Sequence, residues 1–236
     1  MPKIFITGGI SSGKSQFAEN TALALYKSNI IADAGMSGGI TGGTKTNADN
    51  FSLLHFMATA NTKTKSGSNN NADAELNAED NRQNKNEIGA AADIKDREMF
   101  LKIIRHKEKR NKAFAVHENF GDLTAEIDAV FNSLPDERIA ERCVILIDSM
   151  TLWLSSFFTG IKYFDSAAET VLKFAEYLSS IRCSVVTVSD SLGFNLVSLD
   201  AYVRKFVELN GIMEQKLSAV SDKSFCVIAG NPIALK

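Results

Sequence analysis

The chain has 236 residues, of which 44% are hydrophobic, and a formal net charge of −2. This length and composition suffice for one α/β domain with a sizeable core, and the slightly acidic balance gives no reason to expect a nucleic-acid partner. No apolar run approaches the roughly 20 residues that a membrane-spanning helix needs, so we expect no membrane segment.

Short apolar runs without alternation are typical of parallel strands that are covered on both faces. The four clearest runs are Lys3–Thr7, Cys143–Asp148, Ser184–Ser189 and Phe225–Ala229, and a weaker fifth candidate is Ile88–Ala91. Helical patterns lie at Lys14–Tyr26, Arg97–Lys109, Asp122–Leu134, Ala167–Ile181 and Leu199–Val220. This alternation predicts an α/β fold with a doubly wound, mostly parallel sheet, in which ligands bind beyond the carboxyl ends of the strands.

A glycine-rich loop follows the first predicted strand and directly precedes the first predicted helix. Its residues are Gly8, Gly9, Ile10, Ser11, Ser12, Gly13, Lys14 and Ser15. They match the pattern G-x-x-x-x-G-K-[ST] in the strand–loop–helix setting of a phosphate-binding loop, whose backbone N–H groups point at phosphate oxygens. Lys14 is predicted to contact the β- and γ-phosphates, and the Ser15 hydroxyl to ligate Mg²⁺. The loop therefore predicts a P-loop NTPase type of sheet that binds ATP or GTP.

The composition changes between about residues 33 and 87, where eight asparagines occupy 61–86 and Leu76 is the one large apolar residue among them. Such a stretch buries too little apolar surface to offset its ordering entropy. We predict a long flexible insertion within a single nucleotide-binding domain that spans residues 1–236. Phe51–Met57 is the exception and is expected to dock as a short helix, in which His55 has the setting of a structural residue.

The three cysteines, Cys143, Cys183 and Cys226, each lie in or beside an apolar run. Their odd number and lack of paired spacing argue against a disulfide framework or a zinc site. The N-terminus also lacks the basic region and the cleavage site of a secretory signal. Together these features predict reduced, structural thiols and a cytoplasmic protein.

A phosphate-binding loop generally works with an acidic residue at the end of a neighbouring strand. Asp148 ends one predicted strand and Asp190 ends another. Each could instead be a loop carboxylate or a helix cap. We predict that Asp148 ligates the magnesium ion, directly or through water, with Asp190 as the alternative.

His106 lies in the predicted helix 97–109, close to Arg105, Lys107 and Arg110. Charge alone would favour a solvated helix face. A neutral imidazole can attack phosphorus, however, and neighbouring cations keep it neutral near pH 7 and attract a triphosphate. Covalent nucleotidyl transfer is therefore conceivable at this residue.

Four blocks of the chain, in the same order along the sequence, resemble the bifunctional adenosylcobinamide kinase/adenosylcobinamide-phosphate guanylyltransferase family. The blocks are Thr7–Ser15, Asp96–Glu118, Leu146–Leu154 and Val185–Lys236. The resemblance implies that adenosylcobinamide is phosphorylated with ATP or GTP, and that GMP passes from GTP to the product through a guanylylated histidine. By this resemblance His106 is the nucleophile, Lys14 serves phosphoryl transfer, Arg110 lies in the nucleotide site, and the protein is a homotrimer.

The chain also departs from the family's pattern. Ala91 stands where the family has Thr, Ser189 and Asp190 stand where it has Asn-Glu, and Glu214 stands where it has Asn. The nucleotide loop and the histidine are kept. Two alternatives remain open: a P-loop kinase without guanylyl transfer, and a non-catalytic nucleotide-binding module.

Overall fold

The computed structural model describes residues 1–36, 52–59, 111–118, 120–194 and 196–236. The strands of this part are β1 Lys3–Gly8, β2 Leu54–Ala58, β3 Ala115–Glu118, β4 Val144–Asp148, β5 Ser184–Asp190, β6 Lys223–Ile228 and β7 Asn231–Ala234. Its helices are α1 Lys14–Met36, α2 Leu123–Ser133, α3 Glu137–Arg142, α4 Met150–Phe157, α5 Phe164–Ser180 and α6 Ala201–Val220, with a 3-10 turn at Ile161–Tyr163. Among these helices, none is long and apolar enough to cross a membrane.

The strands form one sheet in the order β3-β2-β4-β5-β1-β6-β7. Each neighbouring pair from β3 to β6 is parallel, and β7 returns antiparallel to β6. The chain starts in β1 near the middle of the sheet and adds strands on both sides of it. This topology confirms the predicted α/β fold with a doubly wound, mostly parallel sheet, and it brings the carboxyl ends of β1, β4 and β5 to one edge.

Both faces of the sheet are buried, because successive side chains of a strand point to opposite sides. On one face Phe5, Ile145 and Val185 belong to a core that also contains apolar residues of α2, α4, α5 and α6. On the other face Ile4 and Val186 pack in a second core with side chains of α1. Burial on both faces explains why the strands are continuous apolar runs in the sequence.

The helices begin where the sequence offers a capping side chain. Asp122, Asp136, Ser149 and Asp200 each accept a hydrogen bond from a backbone N–H of the first turn of the helix that follows. These bonds satisfy N–H groups that have no partner within the helix. The predicted helices at 122–134, 167–181 and 199–220 are therefore found with ends displaced by a few residues, and α1 continues ten residues beyond its predicted end at Tyr26.

The short helix expected at Phe51–Met57 is wrong, because residues Leu54–Ala58 form strand β2 between β3 and β4. All five residues of the strand are buried. Leu54, Phe56 and Ala58 belong to the core beside α1, whereas Met57 belongs to the core on the opposite face. The segment has no polar face, so its sequence shows neither the helical nor the strand period of polar and apolar residues. A short apolar run of this kind is ambiguous between helix and strand.

The second strand of the sheet consequently begins at Leu54, inside the stretch that the sequence marks as an insertion. The other strand candidate, Ile88–Ala91, and the predicted helix Arg97–Lys109 lie outside the described residues. Apart from residues 33–36 and 52–59, the predicted insertion lies outside them as well, so its flexibility stays a prediction.

Each cysteine is a free thiol, and Cys143 and Cys183 are buried. Burial raises the pKa of the Cys143 thiol well above its ordinary value, and it raises that of Cys183 to about 12. Both groups are therefore neutral at physiological pH and act as small apolar side chains of the core.

We expect Phe56→Ala to lower the free energy of unfolding by about 3–5 kcal/mol, the usual effect of truncating a buried phenylalanine. Phe56 is 3% exposed, and its ring packs edge-on against Phe114 with centroids 5.8 Å apart. Urea denaturation measures the change, with Val116→Ala as a control because Val116 on neighbouring β3 is 44% exposed. Equal stability of the Phe56→Ala and Val116→Ala proteins would contradict the placement of β2 in the core.

Candidate active site: a phosphate loop at the carboxyl edge of the sheet

The predicted phosphate loop leaves the end of β1 and enters α1 at Lys14. Ser12 N–H donates to the carbonyl of Gly9 over 3.2 Å, and Phe17 N–H donates to the carbonyl of Gly13 over 3.1 Å. Ser11 and Gly13 have positive φ angles of 60° and 94°. The chain thus turns sharply around the N-terminus of α1, whose free N–H groups and partial positive charge favour an anion.

The C-terminal hairpin of β6 and β7 supports this loop from the side. Gly230 N–H, in the turn of the hairpin, donates to the carbonyl of Ser12 over 2.8 Å. A Cβ atom on Gly8 would lie 2.6 Å from the carbonyl oxygen of Val227 and 2.7 Å from Ser12 Oγ. The residue at position 8 therefore has to be glycine for β6 and the loop to approach each other this closely.

Lys14 is held at the carboxyl edge by Asp190, the last residue of β5. Its Nζ lies 2.6 Å from Asp190 Oδ1 and donates to the carbonyl of Gly9 over 3.2 Å. The lysine side chain is 9% exposed and the aspartate side chain 25% exposed. Gly8 and Asp190 are register partners in the sheet, and Ser191 N–H donates to the Gly8 carbonyl over 3.0 Å. The strand next to β1 therefore supplies the counter-ion of the phosphate-loop lysine.

The backbone of Asp190 is hydrogen-bonded on both sides by buried side chains. Its N–H donates to Thr151 Oγ1 over 2.8 Å, and its carbonyl accepts from Asn210 Nδ2 over 3.0 Å. Thr151 in turn donates to Asn210 Oδ1 over 3.1 Å and lies at the same distance from Ser189 Oγ. Helices α4 and α6 thus fix the end of β5, and with it the direction of the Asp190 carboxylate.

A second carboxylate, Glu214 of α6, lies below the same edge. Thr7 Oγ1 donates to Glu214 Oε1 over 2.5 Å. Burial raises the pKa of Glu214 and the charge of Asp190 adds to the rise, whereas the neighbouring hydroxyl groups of Thr7 and Ser189 oppose it. Asn210 and Glu214 are four residues apart and so lie on one face of their helix.

Asp148 also stands at this edge, at the end of β4. It is the register partner of Val188 in β5, so two strand spacings, roughly 10 Å, separate β4 from β1. Ser15 is half-buried in the first turn of α1. Lys14 and Asp190 are thus brought together directly, whereas Asp148 lies one strand further from the loop than Asp190. His106 and Arg110 lie outside the described residues, so their predicted roles remain predictions.

Comparisons with known proteins identify the family of the chain. Residues 56–235 match the model of the cobinamide kinase/cobinamide phosphate guanyltransferase family. The chain belongs to this family. It is also 28% identical over 149 residues to the bifunctional adenosylcobalamin biosynthesis protein CobP of Pseudomonas aeruginosa, a match that covers 62% of this chain and 80% of the relative. Membership of the cobinamide kinase/guanyltransferase family implies that the protein is a transferase with a role in cobalamin biosynthesis.

Ala91, which stands where the resemblance to the family implies threonine, lies outside the described residues. The residue that follows β2 is Thr59. Thr59 Oγ1 donates to the Ser149 carbonyl over 2.6 Å and accepts from Ser149 N–H over 2.9 Å, which joins the end of β2 to the start of α4.

A chain of two histidines and a glutamate, which sequence reasoning missed, crosses from β2 through β3 to α2. His55 Nε2 lies 2.8 Å from the Ser52 carbonyl and donates to it, so His55 Nδ1 accepts from His117 Nε2 at 2.9 Å. His117 Nδ1 lies 2.6 Å from Glu126 Oε1. Burial and the neighbouring His117 lower the pKa of His55, against the effect of the Ser52 carbonyl. Both ring nitrogens of each histidine have partners within the fold, as expected for structural residues.

Replacing either of the two adjacent glycines of the loop by alanine should change the stability of the protein to very different extents. Gly8→Ala should lower the free energy of unfolding by about 1–3 kcal/mol, because its Cβ meets backbone that cannot move away easily. Gly9→Ala should change it by less than about 0.5 kcal/mol, because no atom lies within 4 Å of the added Cβ. Thermal or urea unfolding of the nucleotide-free proteins measures both. A Gly8→Ala protein as stable as Gly9→Ala would show that β6 does not approach the loop as described.

Proposed function

We propose that the protein phosphorylates adenosylcobinamide with ATP or GTP and then transfers GMP from GTP to the phosphorylated product. The observation that carries the proposal is the Lys14 ammonium, fixed beside the N-terminus of α1 at the carboxyl edge of the sheet. Family membership indicates cobinamide as the class of phosphate acceptor, and the CobP relative is named as bifunctional. A homotrimeric assembly remains a prediction from the family resemblance.

The phosphate loop suits phosphoryl transfer because that reaction depends on positioning and on charge stabilisation. The acceptor hydroxyl attacks the γ-phosphorus, the bond to the β,γ-bridging oxygen breaks, and the nucleoside diphosphate leaves. Lys14 lies within reach of the γ- and β-phosphate oxygens of a triphosphate seated on the loop. To engage them, its ammonium group exchanges part of its contact with Asp190 for phosphate oxygens. Ser12 Oγ is buried and has no hydrogen-bond partner among the described residues, which favours a polar ligand at this place.

The oxygen donors at the edge fit a magnesium ion, which prefers hydroxyl, carboxylate and water oxygens. Ser15 and Asp148 are the residues that we propose to hold it, Asp148 through water because of its distance from the loop. Magnesium would neutralise charge on the triphosphate and on the leaving group. Asp190 then acts as the counter-ion of Lys14.

For the second activity we propose His106 as the nucleophile. Its imidazole attacks the α-phosphorus of GTP, the bond to the α,β-bridging oxygen breaks, and pyrophosphate leaves. The phosphoramidate formed carries GMP until the phosphate of the cobinamide product displaces the histidine. Support comes from the position of His106 in the sequence block that resembles the family's nucleophile helix, close to Arg110. The cations beside it balance the negative charge of the phosphate.

Lys14→Ala should reduce ATP-dependent phosphorylation of adenosylcobinamide by about 100-fold or more, because it removes the charge aimed at the transferred group. Phosphorylated product is measured by chromatography with radiolabelled ATP. Lys27→Ala is the matched control, since Lys27 is an exposed lysine of the same helix. Unchanged phosphorylation by the Lys14→Ala protein would refute the role of the phosphate loop.

His106→Ala should abolish covalent labelling by α-labelled GTP and Mg²⁺ while phosphorylation of adenosylcobinamide persists. The adduct on the wild-type protein should be labile in acid and stable in base, as a phosphoramidate is and a phosphate ester is not. Label retained by the His106→Ala protein would refute the nucleophile assignment. An unlabelled wild type that still phosphorylates the corrinoid would support a kinase without guanylyl transfer, and a wild type lacking both activities would support a nucleotide-binding module.

A further inference from the structure

The strand that leads into the phosphate loop is held, below the sheet edge, by one side chain from α6. Thr7 is the penultimate residue of β1, immediately before the loop, and its hydroxyl group donates to Glu214 Oε1 over 2.5 Å. Ser189 precedes Asp190 in β5 and is the register partner of Thr7. Thr7 and Ser189 are 7% and 0% exposed, so Glu214 holds β1 at a buried position beside the end of β5.

The ligand-binding groups follow directly after these two positions. Gly8 begins the phosphate loop after Thr7, and Asp190 follows Ser189 and holds Lys14. A shift of β1 against β5 at this level would move the loop backbone and the Lys14 counter-ion relative to each other. Such a displacement is costly for phosphate binding, where N–H groups and an ammonium have to meet the same few oxygens.

We infer that Glu214 is a positioning residue for triphosphate binding, acting through its hydrogen bond with Thr7. The inference deepens the proposed function, on which it rests only for the statement that the loop binds a triphosphate. Hydrogen bonding, and not charge, is the property used, since the donor is a neutral hydroxyl group.

The test is the affinity for a fluorescent, non-hydrolysable GTP analogue with Mg²⁺, measured without any corrinoid. We expect Glu214→Ala to raise the Kd about tenfold, and Glu214→Gln to stay within about threefold of wild type because its amide oxygen accepts the same hydrogen bond from Thr7. Lys216→Ala is the control, because Lys216 is an exposed residue two positions further along the same helix. Melting temperatures are recorded for each protein, so that a loss of stability is separated from a loss of affinity.

The Thr7→Val variant is a second, independent test of the inference, since it removes the hydroxyl group and keeps the shape of the side chain. It should raise the Kd about as much as Glu214→Ala, and the double variant should add little, as expected for two partners in one interaction. Should Glu214→Ala fail to fold, the comparison of Thr7→Val with wild type decides the question. Wild-type affinity in Thr7→Val or Glu214→Ala would overturn the inference, as would Glu214→Gln being as weak as Glu214→Ala.

This measurement is separate from the proposed activities. A protein that binds the analogue but phosphorylates no corrinoid would refute the proposed acceptor and leave the role of Glu214 measurable. A protein whose Glu214→Ala variant binds normally would refute the positioning role and leave the corrinoid kinase intact.

Discussion

The contact between the Lys14 ammonium and the Asp190 carboxylate is the interaction on which the site depends. An ammonium that is almost fully buried is unfavourable without a counter-charge, because the protein replaces little of its lost hydration. Asp190 can supply that charge only if β5 lies beside β1 in the observed register. The order of the strands and the hydrogen bonds that the Asp190 backbone makes with Thr151 and Asn210 both keep Asp190 in this position. The loop thus lies against the N-terminus of α1, whose free N–H groups favour an anion.

Local patterns were sufficient for most of the fold. The phosphate loop could be identified because its glycines, Lys14 and Ser15 are contiguous, and β1, β4, β5 and β6 could be identified because each is an apolar run buried on both faces. Strands β2, β3 and β7 were missed. The first has no polar face, β3 is only four residues long and contains His117 and Glu118, and β7 contains Pro232. Their pairing is decided by neighbours that are distant in sequence, which no local pattern records.

The site was predictable to a smaller extent, for the same reason. Strand order cannot be read from the spacing of residues, so the sequence favoured Asp148 over Asp190 as the strand-ending carboxylate without showing that Asp190 lies next to Gly8 in the sheet. Thr151, Asn210 and Glu214 act at this edge from two helices. Asn210 and Glu214 do have a local signal, since they are polar residues four apart on an otherwise partly buried helix face. That signal would have suggested a polar contact but not its partners.

The hairpin that closes the chain has a consequence beyond its support of the phosphate loop. Among the described strands, β7 lies at one margin of the sheet, and all four of its residues are exposed. An exposed edge strand of this kind can pair with strands of other molecules, and this pairing leads to aggregation. Pro232 has no N–H group to donate, and the strand is short, so a further strand could form only an interrupted set of backbone hydrogen bonds with it. The same hairpin that supports the phosphate loop thus also limits the addition of further strands to the sheet.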